Sequence, residues 1–296
     1  MADVLTKNYV GKAAAGFMSA SLLSGETLAK GNLTVLPNVA FQVNLNNFNL
    51  SADAVTDSTC DFASAGEVTY VEKPLAPKRL QVNRALCKNN WLSTWAGANM
   101  RAGLDGTLQT DFATYLISYA GSLVGQQVET SIWSGAAGTS GEFDGFEALL
   151  TADGGADVAS IALDATNIIA QLGRVRDAIP NAVYGQDDLA IFVGTAAFKY
   201  YIAAQAALGY LNQYHAGVTE ANFEGIKIVW SPGMGANRMI AGRKSNMFFA
   251  TDLEGDLTEV KLLDQTMVDG SDNVNLVMRF NAGVGYSTRA DIVLYA

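Results

Sequence analysis

The last fifty or so residues limit the fold most. After Asn246 the chain runs MFFATDLEGDLTEVKLLD, turns through Asp269-Gly270-Ser271-Asp272, and continues NVNLVMRFNAGVGYSTRADIVLYA. Val260, Leu262 and Leu263 form one apolar stretch. In a second, Val274, Leu276, Met278 and Phe280 alternate with Asn273, Asn275, Val277 and Arg279, and Ile292, Val293, Leu294 and Tyr295 form a third. Period-two runs split by Asp/Gly turns are the pattern of antiparallel strands, because alternate side chains of a strand point to opposite faces. The passage predicts a closing antiparallel sheet that holds the final residues.

Composition then narrows the class. The chain has 296 residues, 49% hydrophobic and 16% charged, against roughly 25% charge in an ordinary soluble domain. So little charge implies a large core or extensive contact with other subunits. No run approaches the roughly 18 apolar residues of a membrane helix. The start, Met1-Ala-Asp-Val-Leu, lacks the basic and apolar regions of a signal peptide, which points to cytoplasmic synthesis. Cys60 and Cys87 are too few for a disulfide framework and are expected as thiols. The net charge of −10 is unevenly spread. Lys73, Lys78, Arg79, Arg84, Lys88 and Arg101 stand against the single acid Glu72 over residues 72–101, whereas residues 104–296 hold 10 basic and 22 acidic groups. A basic segment on an acidic chain is either a solvated loop or a contact between segments or copies.

Along the chain, residues 1–35 are small and polar-rich and read as an arm that gains order against something else. Val39, Phe41, Val43 and Leu45 alternate with Gln42, Asn44 and Asn46, a half-buried strand over 35–50. Residues 66–92 read as a projecting hairpin with Lys73-Pro74-Leu75-Ala76-Pro77-Lys78 at its tip, since two prolines exclude a central strand there. A long helix is predicted over 107–134, with Phe112, Tyr115, Leu116, Tyr119, Leu123 and Val124 on its apolar face and Gly121 and Gly125 within it. Past the linker Ala136–Gly141 the pattern becomes α/β. It gives a helix after Asp164, the strand Leu189–Val193, a helix from Thr195 to Gly209, and a strand over Phe223–Trp230.

Chemistry-bearing motifs are sparse. His215 stands alone in a polar stretch and cannot build a histidine-rich metal site. No Gly-x-Ser-x-Gly elbow is present, and Gly233-Met-Gly235 lacks the third glycine of a dinucleotide site. Asp252, Glu254 and Asp256 imitate a calcium loop for three positions, but Leu263 stands where a bidentate Glu belongs. Trp91 and Trp95 lie beside basic residues, where anchoring a hairpin base is a plainer role than stacking nucleic acid. Neither a catalytic residue nor a metal or cofactor site is expected.

In order and spacing, Ala250-Thr251-Asp252-Leu253, Glu259-Val260-Lys261 and Val277-Met278-Arg279-Phe280-Asn281-Ala282-Gly283-Val284 resemble the C-terminal signature of major capsid proteins of tailed double-stranded DNA phages. That fold is also used by encapsulins and the herpesvirus capsid floor. The resemblance implies an α+β chain with an N-terminal arm (1–56) and an extended hairpin loop (57–100). It further implies a peripheral domain (101–155 and 244–296) with its spine helix over about 107–134, and an axial domain (156–243). It implies a structural protein that assembles as hexamers and pentamers into an icosahedral shell around packaged double-stranded DNA, without cofactors. The implied location is the virion, built in a bacterial cytoplasm. Expected partners are other copies of itself, a portal, a separate scaffold and a decoration protein, with non-specific proximity to DNA and no membrane. Because the family's extended loop crosses a neighbouring subunit, Lys73, Lys78, Arg79, Arg84 and Lys88 are expected to meet Asp105, Asp111, Glu129, Glu142, Asp144 and Glu147 of the spine region. The alternatives are an encapsulin-type shell and, in another class, a soluble α/β hydrolase using Ser140 or His215.

Overall fold

A computed structural model describes residues 7–10, 26–50, 57, 60, 68–87, 110–209, 221–252, 259–266 and 268–296. A six-stranded sheet runs in the order β1 (Lys7–Val10), β11 (Glu259–Asp264), β12 (Asn273–Tyr286), β10 (Met247–Thr251) and β2 (Thr34–Leu36), with β5 (Lys78–Cys87) also paired to β12. A five-stranded sheet has the order β13 (Val293–Tyr295), β9 (Met239–Arg243), β6 (Leu189–Val193), β8 (Ile226–Trp230) and β7 (Ala221–Phe223). A two-stranded sheet joins β3 (Val43–Leu50) to β4 (Val68–Leu75). The helices are α1 (Glu26–Ala29), α2 (Thr110–Ser134), α3 (Phe146–Ala152), α4 (Ile168–Ala178) and α5 (Thr195–Ala207).

The five-stranded sheet is a wall shared by two cores. Ala190 and Phe192 of β6, Ile240 of β9 and Leu294 of β13 face the core that also holds α2 and the six-stranded sheet. Leu189, Ile191, Val193, Met239, Ala241, Val293 and Tyr295 face the other, against α4 and α5. This explains why Leu189–Val193 is an unbroken apolar run, since a strand covered on both faces has no solvent side to alternate with. Helix α4 turns Ile168, Leu172 and Val175 to the second core. Asp164 organises its entry by accepting the N–H groups of Thr166 and Asn167, each at 2.8 Å. Between β7 and β8, Glu224 (φ 48°) and Gly225 (φ 86°) make the tight turn that divides the single strand expected over Phe223–Trp230.

Four expectations are corrected. The hairpin expected over 66–92 does not form: β4 pairs with β3, while β5 pairs with β12 over ten residues. The β5–β12 register sets Leu80 opposite Phe280, Val82 opposite Met278 and Leu86 opposite Val274. Those apolar cross-strand pairs sit on the core face, and Pro74 and Pro77 bracket the change of sheet. The strand expected over 35–50 begins only at Val43 and leaves Phe41 79% exposed. The preceding segment instead closes the end of β10, with Val39 N–H bonded to the Thr251 carbonyl and Asn281 donating to the Ala40 carbonyl. Helix α2 buries Ile117, Val124, Val128, Ile132 and Trp133, whereas Tyr119 and Leu123 are 54% and 49% exposed. The side chains of Phe112, Tyr115 and Leu116 lie outside the described residues. Finally, the C-terminal strand joins the five-stranded sheet rather than the sheet of β10, β11 and β12.

Close backbone contact fixes α2 against the five-stranded sheet. A Cβ on Gly233 would stand 2.1 Å from the Glu129 carbonyl oxygen, and Ser134 donates to the Gly233 carbonyl at 2.9 Å. Gly233→Ala is expected to destabilise the chain by about 1–3 kcal/mol, the usual cost of overpacking, measured by urea denaturation. An unchanged midpoint would contradict this packing.

Candidate functional site

The basic residues singled out in the sequence are divided by the structure. Lys73, on β4, places Nζ 2.6 Å from Asp153 Oδ2 and 3.5 Å from the centre of the Tyr286 ring. Lys78, at the start of β5, donates to the carbonyls of Ala137 (2.9 Å) and Glu142 (2.7 Å). It thus sits just beyond the C-terminal end of α2, where the helix dipole favours a cation. Arg79 and Arg84 are exposed on β5. Lys88 lies outside the described residues.

Most of the acidic candidates are also engaged within the chain. Glu129 is buried on α2, where its carboxylate accepts the Thr27 N–H at 3.2 Å, the Thr27 hydroxyl, and the Trp133 indole N–H at 3.3 Å. Glu142 accepts the Ala136 N–H at 3.2 Å, and Asp144 accepts the Ala137 N–H at 2.7 Å. These bonds fold the Gly135–Gly145 turn back beneath the helix, and the Gly145 N–H bonds to the Gly135 carbonyl. Glu147, in the first turn of α3, accepts the Gly235 N–H at 3.2 Å and lies 3.8 Å from Arg238. Asp111 falls in the first turn of α2 with its side chain outside the described residues, and Asp105 lies outside them altogether. Within one chain, Lys78 therefore meets the Glu142 carbonyl rather than any of the carboxylates.

Among the described side chains of α2, what remains outward is a face without charge. From Ile117 to Ser134 the single charged side chain is the buried Glu129, and Ser118, Tyr119, Ser122, Leu123, Gln126 and Gln127 are exposed. The β3–β4 hairpin carries matching character, with Val68, Tyr70 and Val71 exposed on β4. A long helix at the surface normally gains solubility from charged pairs along its outer face. A helix that lacks them suits a surface covered by protein.

Sequence reading missed the Thr27–Glu129–Trp133 cluster that ties α1 to α2. Glu129 and Trp133 are one helical turn apart and visible as a pair, but Thr27, about a hundred positions earlier, carries no local signal. Also missed was Arg289, which binds the Asp153 and Gly155 carbonyls at 3.0 Å each and Asp157 Oδ2 at 2.9 Å.

An open cleft beside the start of α5 is lined by Thr195, Ala196, Lys199, Tyr200, Pro232, Met234 and Ala236, with neither an acid nor a histidine to act as a base. Among the described residues no three His, Cys, Asp or Glu side chains group as metal ligands, and no helix is long and apolar enough to cross a membrane. Ser140 lies in the exposed 136–141 turn, and His215 lies outside the described residues.

Burial pushes the Glu147 carboxyl above its usual range, against the lowering influence of the Gly235 N–H and the Arg238 guanidinium. A raised acid favours the folded state while protonated, and that advantage is lost as pH rises through the raised value. Glu147→Gln keeps an acceptor for Gly235 and removes the desolvated charge. It is expected to raise the urea midpoint near neutral pH and to leave it unchanged at about pH 4. A lower midpoint near neutral pH would contradict this.

No family model and no curated protein sequence matches the chain. Solved structures do. A chain of the satellite phage P4 procapsid including size determination (Sid) protein aligns at a TM-score of 0.59 and 12% identity, covering 95% of this chain and 97% of that one. The capsid structure of cyanophage P-SCSP1u gives a TM-score of 0.55 at 10% identity, covering 90% and 86%. The virus-like particle from Pyrococcus furiosus gives 0.53 at 12% identity, covering 97% and 99%. Over the 90–97% of its length covered by these alignments, this chain has the α+β fold of phage capsid proteins.

Proposed function

We propose that the chain is the repeating structural subunit of a closed shell, assembled as hexamers and pentamers into an icosahedral capsid that encloses packaged double-stranded DNA. The observation that carries this reading is the uncharged outer face of α2 from Ile117 to Ser134, on a capsid fold that also exposes apolar side chains on the β3–β4 hairpin. In this reading the six-stranded sheet with α2 and α3 is the peripheral domain, and the five-stranded sheet with α4 and α5 is the axial domain. The β3–β4 hairpin is the extended loop, which crosses the α2 of a neighbouring copy. Lys73 and Lys78 have partners in their own chain, so Arg79, Arg84 and Lys88 supply the basic side of any charged contact. Exposed pairs of that kind contribute about 0–1 kcal/mol each and serve register more than affinity. Apolar cover of Tyr119 and Leu123 is the larger contribution.

The fold of the Pyrococcus particle supports a second reading, an encapsulin-type shell. Nucleic acid inside purified particles separates the two, since a phage capsid is filled with DNA and an encapsulin holds protein cargo.

Leu123→Asp tests the contact. It is expected to block assembly in sedimentation velocity while shifting the stability of the unassembled chain by no more than about 0.5 kcal/mol, as surface changes do. Arg79→Glu is expected to weaken assembly at low salt and to have little effect at about 1 M salt, where exposed charges are screened. Undiminished assembly by Leu123→Asp would remove α2 from the interface.

A further inference from the structure

The β3–β4 hairpin meets the body of the protein near its base, where Leu45 and Leu75 pack with Val39 and Ala250. Asn47 adds a hydrogen bond to the Thr288 hydroxyl at 2.6 Å. Farther along, Val68, Tyr70 and Val71 are exposed. Lys73 lies between these zones. Its ammonium touches the Asp153 carboxylate at 2.6 Å and the Tyr286 ring at 3.5 Å, and the same carboxylate oxygen accepts the Tyr286 hydroxyl at 2.9 Å. We propose that Lys73 is a latch that sets the attitude of the hairpin against the six-stranded sheet, closed while Asp153 is ionised and released when acid or substitution removes the charge pair.

The receiving side is closely packed and the arriving side is lightly held. Tyr286 is fully buried at the end of β12, and a Cβ on the adjacent Gly285 would stand 3.0 Å from the Leu75 side chain, so the hairpin base seats closely there. The Asp153 segment is held by Arg289, which binds the Asp153 and Gly155 carbonyls and Asp157. The hairpin itself has two strands, an arrangement marginal without support. A cation held by both a carboxylate and an aromatic face is a stronger tie than an exposed ion pair alone.

The charged and titratable groups around the latch are Asp153 after α3, Tyr286 on β12, Arg289 and its partner Asp157, and Glu72, which is hydrogen-bonded to Asn44. The Lys73 ammonium and the Tyr286 hydroxyl hold the Asp153 carboxyl below its usual range. Latch closure is therefore complete above the ordinary carboxylate range and is lost as pH falls through the lowered value. The latch would regulate the surface assigned to assembly above. That consequence rests on the shell reading; the latch itself does not.

Hydrogen exchange on the unassembled chain tests it, comparing wild type with Lys73→Met and Asp153→Asn. Amides of 43–50 and 68–75 are expected to exchange about tenfold faster in both variants at one pH, and in wild type to lose protection relative to the intrinsic exchange rate at each pH once acid titrates Asp153, while β11 and β12 stay protected. Hairpin rates within about twofold of wild type in Lys73→Met, or loss of protection spreading through β12, would overturn the proposal. Because the measurement needs no shell, a chain that never assembles would refute the proposed function and leave the latch standing.

Discussion

Trp133 is the contact on which the arrangement depends. It is fully buried at the end of α2, with its ring 4.9 Å from Phe192 of the five-stranded sheet and 5.5 Å from Phe146 of α3. Its indole N–H reaches Thr27 at 3.0 Å and Glu129 at 3.3 Å. One side chain thus ties the long helix to the wall between the two cores, to the following helix, and to the N-terminal α1. The buried Glu129 is tolerable because donors surround its carboxylate, whereas an unpaired buried charge would cost several kcal/mol. Turning the acid inward also leaves the outer face of α2 without charge from Ile117 to Ser134.

The shared wall has a mechanical consequence. Strands β6, β9 and β13 each send alternate residues into both cores, so the halves of the protein cannot shift independently without breaking close packing. The β3–β4 hairpin is different. It is tied to the body by a small apolar cluster and a few polar bonds. In the proposed shell, a body of this kind bearing one lightly tethered arm would suit a subunit that meets neighbours at more than one angle, because the angular variation can be taken up by the arm.

Much of the architecture was legible where periodicity was clean. Val274, Leu276, Met278 and Phe280 announced β12, and Leu189–Val193 announced β6. The position of α2 was also legible, but not its buried face, because apolar residues lie all around it and packing alone decides that Ile117 turns inward and Tyr119 outward. The hairpin was misplaced for a related reason. Strand β5 alternates as well against β12 as it would against β4, and only the long-range register selects between them. The charged contact was implied by the resemblance together with the uneven charge, neither of which shows that Lys73, Lys78 and Glu129 also have partners within one chain. The surface proposed for assembly is defined by missing charge, a property visible in the sequence from Ile117 to Ser134 only once that face of the helix is known to be exposed.

Electron microscopy of the purified chain at high concentration, with sizing of the same sample, decides whether the chain builds the proposed shell. Closed particles or discrete five- and six-membered rings are expected, with the hairpin of one copy lying over α2 of the next. A monodisperse monomer across a wide range of salt and concentration, unchanged when a scaffolding protein is co-expressed, would contradict it.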